Sequence, residues 1–270
     1  MHPIRRFFIA ATALAVMSLG GCAQFQAVQP DAVRAAGYAV TPLPPSAAVF
    51  NHTTKPVDPD GSVVYTQYSG GSLAVGLLVP FGRFVNIEQI SKATDADVGT
   101  LIGHVKLDAA ALFAQAASTQ GISIADGAAT RAMPYLHLLK LSDVDTVLVS
   151  TVVLLEADKA SPTWRGKYVY QLPGTYTLAS LRSMDAAAIQ ALSLAAADGF
   201  THLAKYMREE TPEKQQRERK VLLSSPLLYP SAYTLEFYGT LIEDAGDVAW
   251  FRATDGVFAL RKANLSYQLK

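Results

Sequence analysis

Cysteine and histidine are scarce in this sequence, and neither sign of charge is in excess. The chain has 270 residues, with a single cysteine and five histidines, and its 23 basic side chains balance 23 acidic ones. A single cysteine cannot form an intrachain disulfide, so the fold depends on its core for stability. A chain without net positive charge lacks the broad positive field that attracts phosphate backbones. We therefore expect no nucleic acid among the partners.

Metal and cofactor motifs are missing as well. Apart from His2, the histidines are His52, His104, His137 and His202. They lie too far apart for the three-to-five-residue spacing that zinc sites favour. Neither glycine-rich phosphate motif, G-x-x-x-x-G-K or G-x-G-x-x-G, occurs. We expect no cofactor and no metal.

Catalytic motifs are equally absent. No serine lies in a G-x-S-x-G elbow or an S-x-x-K pair. Paired aspartates do occur, at Asp95 and Asp97, Asp143 and Asp145, and Asp244 and Asp247. Each pair falls where a turn or helix start already favours aspartate for local hydrogen bonds. The sequence therefore predicts a protein that is not an enzyme.

The first residues have the organisation of a secretory signal peptide. Arg5 and Arg6 precede an apolar run over residues 7–19, which is followed by Gly20 and Gly21. The run is shorter than the roughly twenty residues that a membrane-spanning helix needs. We expect cleavage between Gly21 and Cys22.

The sequence Leu-Gly-Gly-Cys at residues 19–22 resembles the lipobox of bacterial lipoprotein precursors. The resemblance implies that the Cys22 thiol is linked to a diacylglycerol and that the freed amine is acylated. Two or more acyl chains make such an attachment stable. Ala23 stands where an aspartate would retain the protein in the inner membrane, which implies an outer-membrane protein facing the periplasm. The alternative is that Cys22 is a lone buried cysteine behind an apolar start.

Composition divides the chain into four regions. Residues 1–21 are the expected signal peptide, and residues 22–60, with six prolines and no sustained period, are an expected lipidated flexible tether. Residues 61–210 form an expected α+β domain. Residues 211–270 contain a charged connector and C-terminal β-strands. Mixed charges over residues 209–220 are typical of a solvated connector.

The pattern predicts an α+β fold with a mostly antiparallel sheet, two main helices on one face and a C-terminal β-meander. One helix begins after Asp108 and ends before Gly121, and the other begins after Asp185. The apolar, β-branched run over residues 146–155 predicts a central strand. Further strands are predicted at residues 62–68, 165–171, 175–181, 232–242, 248–252, 257–261 and 265–269.

An unusual apolar, glycine-rich segment occupies residues 70–82. About ten apolar residues are too few for a membrane-spanning helix but enough for one tilted strand. The segment is either a buried strand or loop of the core, or a contact with a membrane or a partner. The contact side chains would then be Leu73, Val75, Leu77, Leu78 and Phe81.

The order of elements over residues 100–210 resembles the periplasmic auxiliary lipoproteins of ABC-type transport systems. The resemblance implies a lipid-anchored, non-enzymatic envelope protein that acts as a binding, accessory or scaffold component of a transport or assembly system. Its partners would be the membrane, through Cys22, and envelope proteins or further copies of the chain. Two alternatives are an oligomeric secretion or pore component that inserts residues 70–82, and an envelope hydrolase with a cleft of acidic or Ser and His side chains.

Overall fold

One mixed β-sheet of eleven strands organises the protein. The computed structural model describes residues 25–67, 82–141, 145–157, 164–228 and 235–270, with residues 82–87 described by their backbone. The strands are β1 Tyr38–Val40, β2 Thr54–Pro56, β3 Val63–Gln67, β4 Thr130–Lys140, β5 Val147–Ala157, β6 Trp164–Gln171, β7 Arg219–Ser224, β8 Phe237–Ala245, β9 Val248–Ala253, β10 Gly256–Arg261 and β11 Ser266–Leu269.

The strand order is β11-β7-β8-β9-β10-β6-β5-β4-β3-β2, and β1 pairs with β4 beside β3. β1 and β3 run parallel to β4, and β10 runs parallel to β6. The expectation of a mostly antiparallel sheet is therefore wrong, although the α+β class is confirmed. Parallel neighbours arise because long crossover connections, which carry helices, separate β3 from β4 and β6 from β10 in the chain.

Six α-helices occur in the described ranges, where the sequence predicted two main ones. They are α1 Asp31–Ala36, α2 Gly82–Leu101, α3 Ala109–Thr119, α4 Leu178–Arg182, α5 Ala186–Glu209 and α6 Pro212–Gln216. The additional helices are short or carry few apolar residues, so their periodicity is weak. Among the helices described, none is long and apolar enough to cross a membrane.

The two helices predicted from their capping residues are confirmed. The Asp108 carboxylate accepts the N–H of Ala111 at 2.8 Å and so caps α3. Asp185 caps α5 through the N–H of Ala188, also at 2.8 Å. Gly121, just beyond α3, has a φ of +71°, as expected for a residue that ends a helix.

Both faces of the sheet are buried. Alternate side chains of β5 point to opposite sides, so Val149 and Val153 join one core cluster and Leu148 and Val152 join the other. Helices α3 and α5 lie over the first cluster, where the rings of Phe113 and Phe200 meet edge to face with centroids 6.0 Å apart. The prediction of a central buried strand over residues 146–155 is confirmed, since β5 lies between β4 and β6.

β4 was not predicted from the sequence, and it contains Pro134. A proline removes a donor from the ladder and is ordinarily confined to edge strands. Here β1 pairs with β4 only as far as Ala132, and β3 pairs with it only from Leu136. Pro134 lies in the gap between those two ladders, where β4 behaves as an edge strand. Its missing N–H therefore leaves no ladder hydrogen bond unformed.

Two other strand predictions need correction. The predicted strand over residues 175–181 is wrong, because Thr177 and Ser180 form a capping box that starts α4 at Leu178. The C-terminal strands are present, but β11 leaves the meander and pairs with β7. The strands on both sides of residue 210 belong to one sheet, so the sheet does not stop at the expected domain boundary.

The expected flexible tether is wrong for residues 25–60. These residues form α1, β1 and β2, and the side chains of Val33, Tyr38, Leu43 and Val57 are buried. The prolines do not prevent packing. Pro30, for example, directly precedes α1, where a missing N–H costs little.

Gly199 provides a test of how closely α5 packs against the sheet. A Cβ at this position would lie 2.7 Å from Thr151 Oγ1 and 2.8 Å from Leu172 Cδ2. We expect Gly199→Ala to lower the free energy of unfolding by about 1–3 kcal/mol through overpacking, as measured by urea titration. The matched control is Gly99→Ala in α2, which has no atom within 4 Å and should gain up to about 1 kcal/mol of helix propensity. Equal stabilisation by both changes would contradict the close approach of α5 to the sheet.

Candidate functional site

Arg252 of β9 is a fully buried charge. Its side chain is only 1% exposed, and all six residues of the strand are buried. Removal of a guanidinium from water is costly unless charged and hydrogen-bonding partners replace the lost hydration. The site is therefore defined by the groups that surround this side chain.

All five N–H groups of Arg252 have acceptors. Nη1 donates to Glu210 Oε1 at 2.8 Å and to the carbonyl oxygen of Gln26 at 3.2 Å. Nη2 donates to Tyr206 Oη and to Glu218 Oε1, both at 2.9 Å. Nε donates to Glu218 at 3.1 Å. Because a guanidinium has five donors, none is left for a ligand.

The two carboxylates are as buried as the guanidinium. The side chains of Glu210 and Glu218 are 1% and 3% exposed. Glu210 also accepts the Tyr168 hydroxyl at 2.8 Å and the backbone N–H of Gln29 at 3.4 Å. Glu218 accepts the hydroxyl of Thr240. We call Arg252, Glu210, Glu218, Tyr206 and Tyr168 the Arg252 cluster.

Residues from the N-terminal segment complete the Arg252 cluster. The Gln26 N–H donates to the carbonyl oxygen of Ala253 at 2.9 Å, and Gln26 Oε1 accepts the N–H of Lys167 at 2.7 Å. Arg34 donates to the carbonyl oxygen of Glu210 at the end of α5, where a cation also complements the helix dipole. The cluster therefore joins the N-terminal segment to α5, β6, β8 and β9.

Charge and burial fix the protonation of the cluster. Burial and the Glu210 carboxylate raise the pKa of Tyr168 well above its usual range, and burial likewise raises that of Tyr206. Burial also raises the pKa of Tyr38, which lies next to the cluster, to about 12. Burial alone would lower the pKa of Arg252, but hydrogen bonds to Glu218 and the nearby carboxylates raise it. The tyrosines stay neutral and donate, and Arg252 stays charged.

A cavity of about 280 Å³ lies against this cluster. It is lined by Tyr206, Glu209, Glu210, Thr211, Lys214, Arg217, Glu218, Ile242, Glu243 and Arg252. Thr211 Oγ1 already accepts the N–H of Lys214 at 3.3 Å and caps α6. The two lining hydroxyls are already engaged, since that of Tyr206 accepts from Arg252 and that of Thr211 caps α6. The cavity is large enough for water or a small polar molecule.

The charged connector over residues 209–220 is only partly solvated, which corrects the sequence interpretation. Lys214 and Arg217 are exposed, but Glu210 and Glu218 are buried. Two patterns could have revealed this. Arg252 interrupts an apolar strand, and Glu210 follows the end of a long helix, where the dipole disfavours a negative charge.

Four of the paired aspartates have partners of their own in the structure. Asp95 pairs with Lys55 at 3.1 Å, whereas Asp97 accepts the Tyr65 hydroxyl at 2.7 Å and pairs with Lys140 at 2.9 Å. Asp244 and Asp247 pair with different cations, Lys262 and Arg261. Asp143 lies outside the described residues. The two members of each fully described pair thus make ion pairs with different cations.

The histidines do not converge. His137 of β4 contacts Thr66 Oγ1 at 2.8 Å through Nε2, and burial lowers its pKa to about 3. His202 stacks on Tyr170 with ring centroids 4.7 Å apart. Within the described part of the chain, no three metal-ligating side chains are grouped.

The sequence-predicted contact residues lie outside the described part of the chain. These are the cleavage and lipidation residues Gly21 and Cys22, and the apolar contact residues Leu73, Val75, Leu77, Leu78 and Phe81. Among the residues bonded to the Arg252 cluster, Gln26 is the nearest to Cys22 in sequence.

Comparison of this chain with protein-family models, with curated proteins and with solved structures found no match.

Arg252→Met tests the Arg252 cluster. The change leaves Glu210 and Glu218 buried without a cation, so we expect a loss of about 3–5 kcal/mol in the free energy of unfolding, measured by urea titration. The control is Lys214→Met on the cavity rim, where the lysine is exposed and its Nζ lies 3.6 Å from Glu209, so the loss should stay below about 1 kcal/mol.

If Arg252→Met fails to fold, Glu218→Gln gives a milder version of the same test. It keeps an acceptor for Arg252 but removes one buried charge, and the expected loss is about 1–3 kcal/mol. Wild-type stability of both cluster variants would show that the cluster does not stabilise the fold.

Proposed function

We propose that this protein is a lipid-anchored, non-enzymatic envelope lipoprotein that acts as a binding, accessory or scaffold component of an envelope transport or assembly system. The observation that carries the proposal is the sequence Leu-Gly-Gly-Cys at residues 19–22, which contains the only cysteine of the chain and follows a basic and then apolar start. Cys22 carries the lipid, and the body faces the periplasm from the outer membrane.

The arrangement of the Arg252 cluster supports a structural role for the buried polar groups. A catalytic arginine would keep donors for a substrate, but the five donors of Arg252 are taken by protein acceptors. A catalytic carboxylate would face the substrate, but Glu210 and Glu218 are directed at Arg252, Tyr168 and Thr240. The buried charge stabilises the body that the lipid holds at the membrane.

Metabolic labelling of the full chain with a radioactive fatty acid tests the proposal. The wild-type protein should incorporate the label and sediment with membranes, because Cys22 supplies the thiol that is acylated. Cys22→Ala should abolish incorporation and leave an uncleaved or released protein. The matched control is Ala23→Ser, which changes the neighbouring residue but keeps the thiol and should label as wild type. Equal labelling of the Cys22→Ala protein, or no labelling of the wild type, would refute the anchor.

A further inference from the structure

We propose that the end of the sheet at the β9–β10 turn lies against the polar surface of the bilayer that holds Cys22, with the opposite end directed away from it. This inference rests on the proposed function, because it requires Cys22 to be the anchor. It adds an orientation and a contact surface, which lipidation alone would leave open.

The first step is the fixed position of Gln26. Its N–H donates to Ala253, its side-chain oxygen accepts from Lys167 at 2.7 Å, and its carbonyl oxygen accepts from Arg252 at 3.2 Å. Trp164 Nε1 also donates to the carbonyl oxygen of the next residue, Ala27, at 3.3 Å. The chain is therefore tied to the body from residue 26 onward.

The second step is the length of chain between Gln26 and the anchor. Four residue steps separate Cys22 from Gln26, and a fully extended chain covers at most about 3.6 Å per residue. The lipidated residue thus lies within about 14 Å of Gln26. A flexible tether over residues 22–60 would have allowed the body to stand well off the membrane, but this short linker between Cys22 and Gln26 does not.

The third step identifies which part of the body lies near the short linker between Cys22 and Gln26. Gln26 bonds to Ala253 at the end of β9, and Ala253 is paired with Gly256 at the start of β10. The start of β6 lies at the same end of the sheet, since β10 runs parallel to β6 with Val257 opposite Tyr168. The end of β5 lies there too, since Ala157 is paired with Trp164. The other end of the sheet carries the start of β5 at Val147, ten residue steps from Ala157 along the strand, or about 33 Å.

The chemistry of the near end fits lipid headgroups rather than hydrocarbon. Arg165 is 71% exposed and Asp255 57% exposed at this end of the sheet. Insertion of such charges into the acyl region would be costly, whereas the headgroup region keeps them hydrated. The contact is therefore with the surface of the bilayer.

Site-directed fluorescence quenching tests this orientation. One variant of the full chain is Asp255→Cys, at the near end of the sheet. The other is Thr175→Cys, an exposed position next to Tyr176, which is paired with Val147 at the far end. The Cys22 thiol is consumed by lipid, so only the new thiol takes the fluorophore. The labelled lipoproteins are reconstituted in phosphatidylcholine–phosphatidylglycerol vesicles that contain a headgroup-linked quencher.

The label at residue 255 should be quenched several-fold more than the label at residue 175. A second near-end position, Thr254→Cys, should behave like residue 255 and guards against a local effect of the lost Lys167–Asp255 pair. Insertion of twenty Gly and Ser residues between Ala23 and Gln24 should abolish the difference in quenching, because the longer linker no longer fixes the orientation of the body.

Vesicle flotation separates the two possible failures. If the protein floats with the vesicles but both labels are quenched equally, the orientation is wrong and the anchor stands. If the protein neither incorporates fatty acid nor floats, the proposed function fails and the inference falls with it.

Discussion

The burial of the Arg252 guanidinium is the constraint on which the rest of the structure depends. A buried cation can be kept only if every donor finds an acceptor and at least one countercharge is close. β9 supplies the cation, the end of α5 supplies Glu210 and Tyr206, and the chain before β7 supplies Glu218. The remaining acceptor is the backbone of Gln26. Four distant parts of the chain must therefore be in place together before this charge is satisfied.

Because Arg252 depends on the backbone of Gln26, the N-terminal segment is part of the packed body. A proline-rich stretch behind a lipid anchor would ordinarily be a spacer whose length sets the distance to the membrane. Here residues 26–38 are bonded to the cluster and to the sheet, and Tyr38 is buried. The same contacts that complete the coordination of Arg252 would hold the body close to the lipidated residue. If Cys22 carries the proposed lipid, fold stability and membrane geometry are linked through one set of hydrogen bonds.

Local chemistry made some elements predictable. The caps at Asp108 and Asp185 could be predicted because a side chain three residues from its own target needs no tertiary information. The continuous apolar run of β5 likewise predicts a strand that is buried on both faces. The α+β class follows from such elements, whereas the pairing of β1, β3 and β10 does not, because parallel ladders depend on where crossovers pass.

The features that escaped prediction depend on distant partners. Pro134 is acceptable in β4 only because the neighbouring ladders on that side stop short of it. Glu210 and Glu218 sit among exposed charges in sequence, and only the folded arrangement shows that Arg252 removes them from water. Mixed charge usually indicates solvation, so composition alone favoured a connector. The apolar side chains of residues 25–60 were too widely spaced to give a period, yet they pack against the sheet.

The most direct test of the account is native-state hydrogen exchange of the N-terminal amides. The N–H of Gln26 donates to Ala253 and that of Tyr38 to Ser123, both at 2.9 Å. If the Arg252 cluster makes this segment part of the cooperative fold, these two amides should be protected to within about 1–2 kcal/mol of the most protected amides of β5. Exchange of both amides at nearly unprotected rates, while β5 remains protected, would contradict the central claim that the N-terminal segment is bound to the body through the Arg252 cluster.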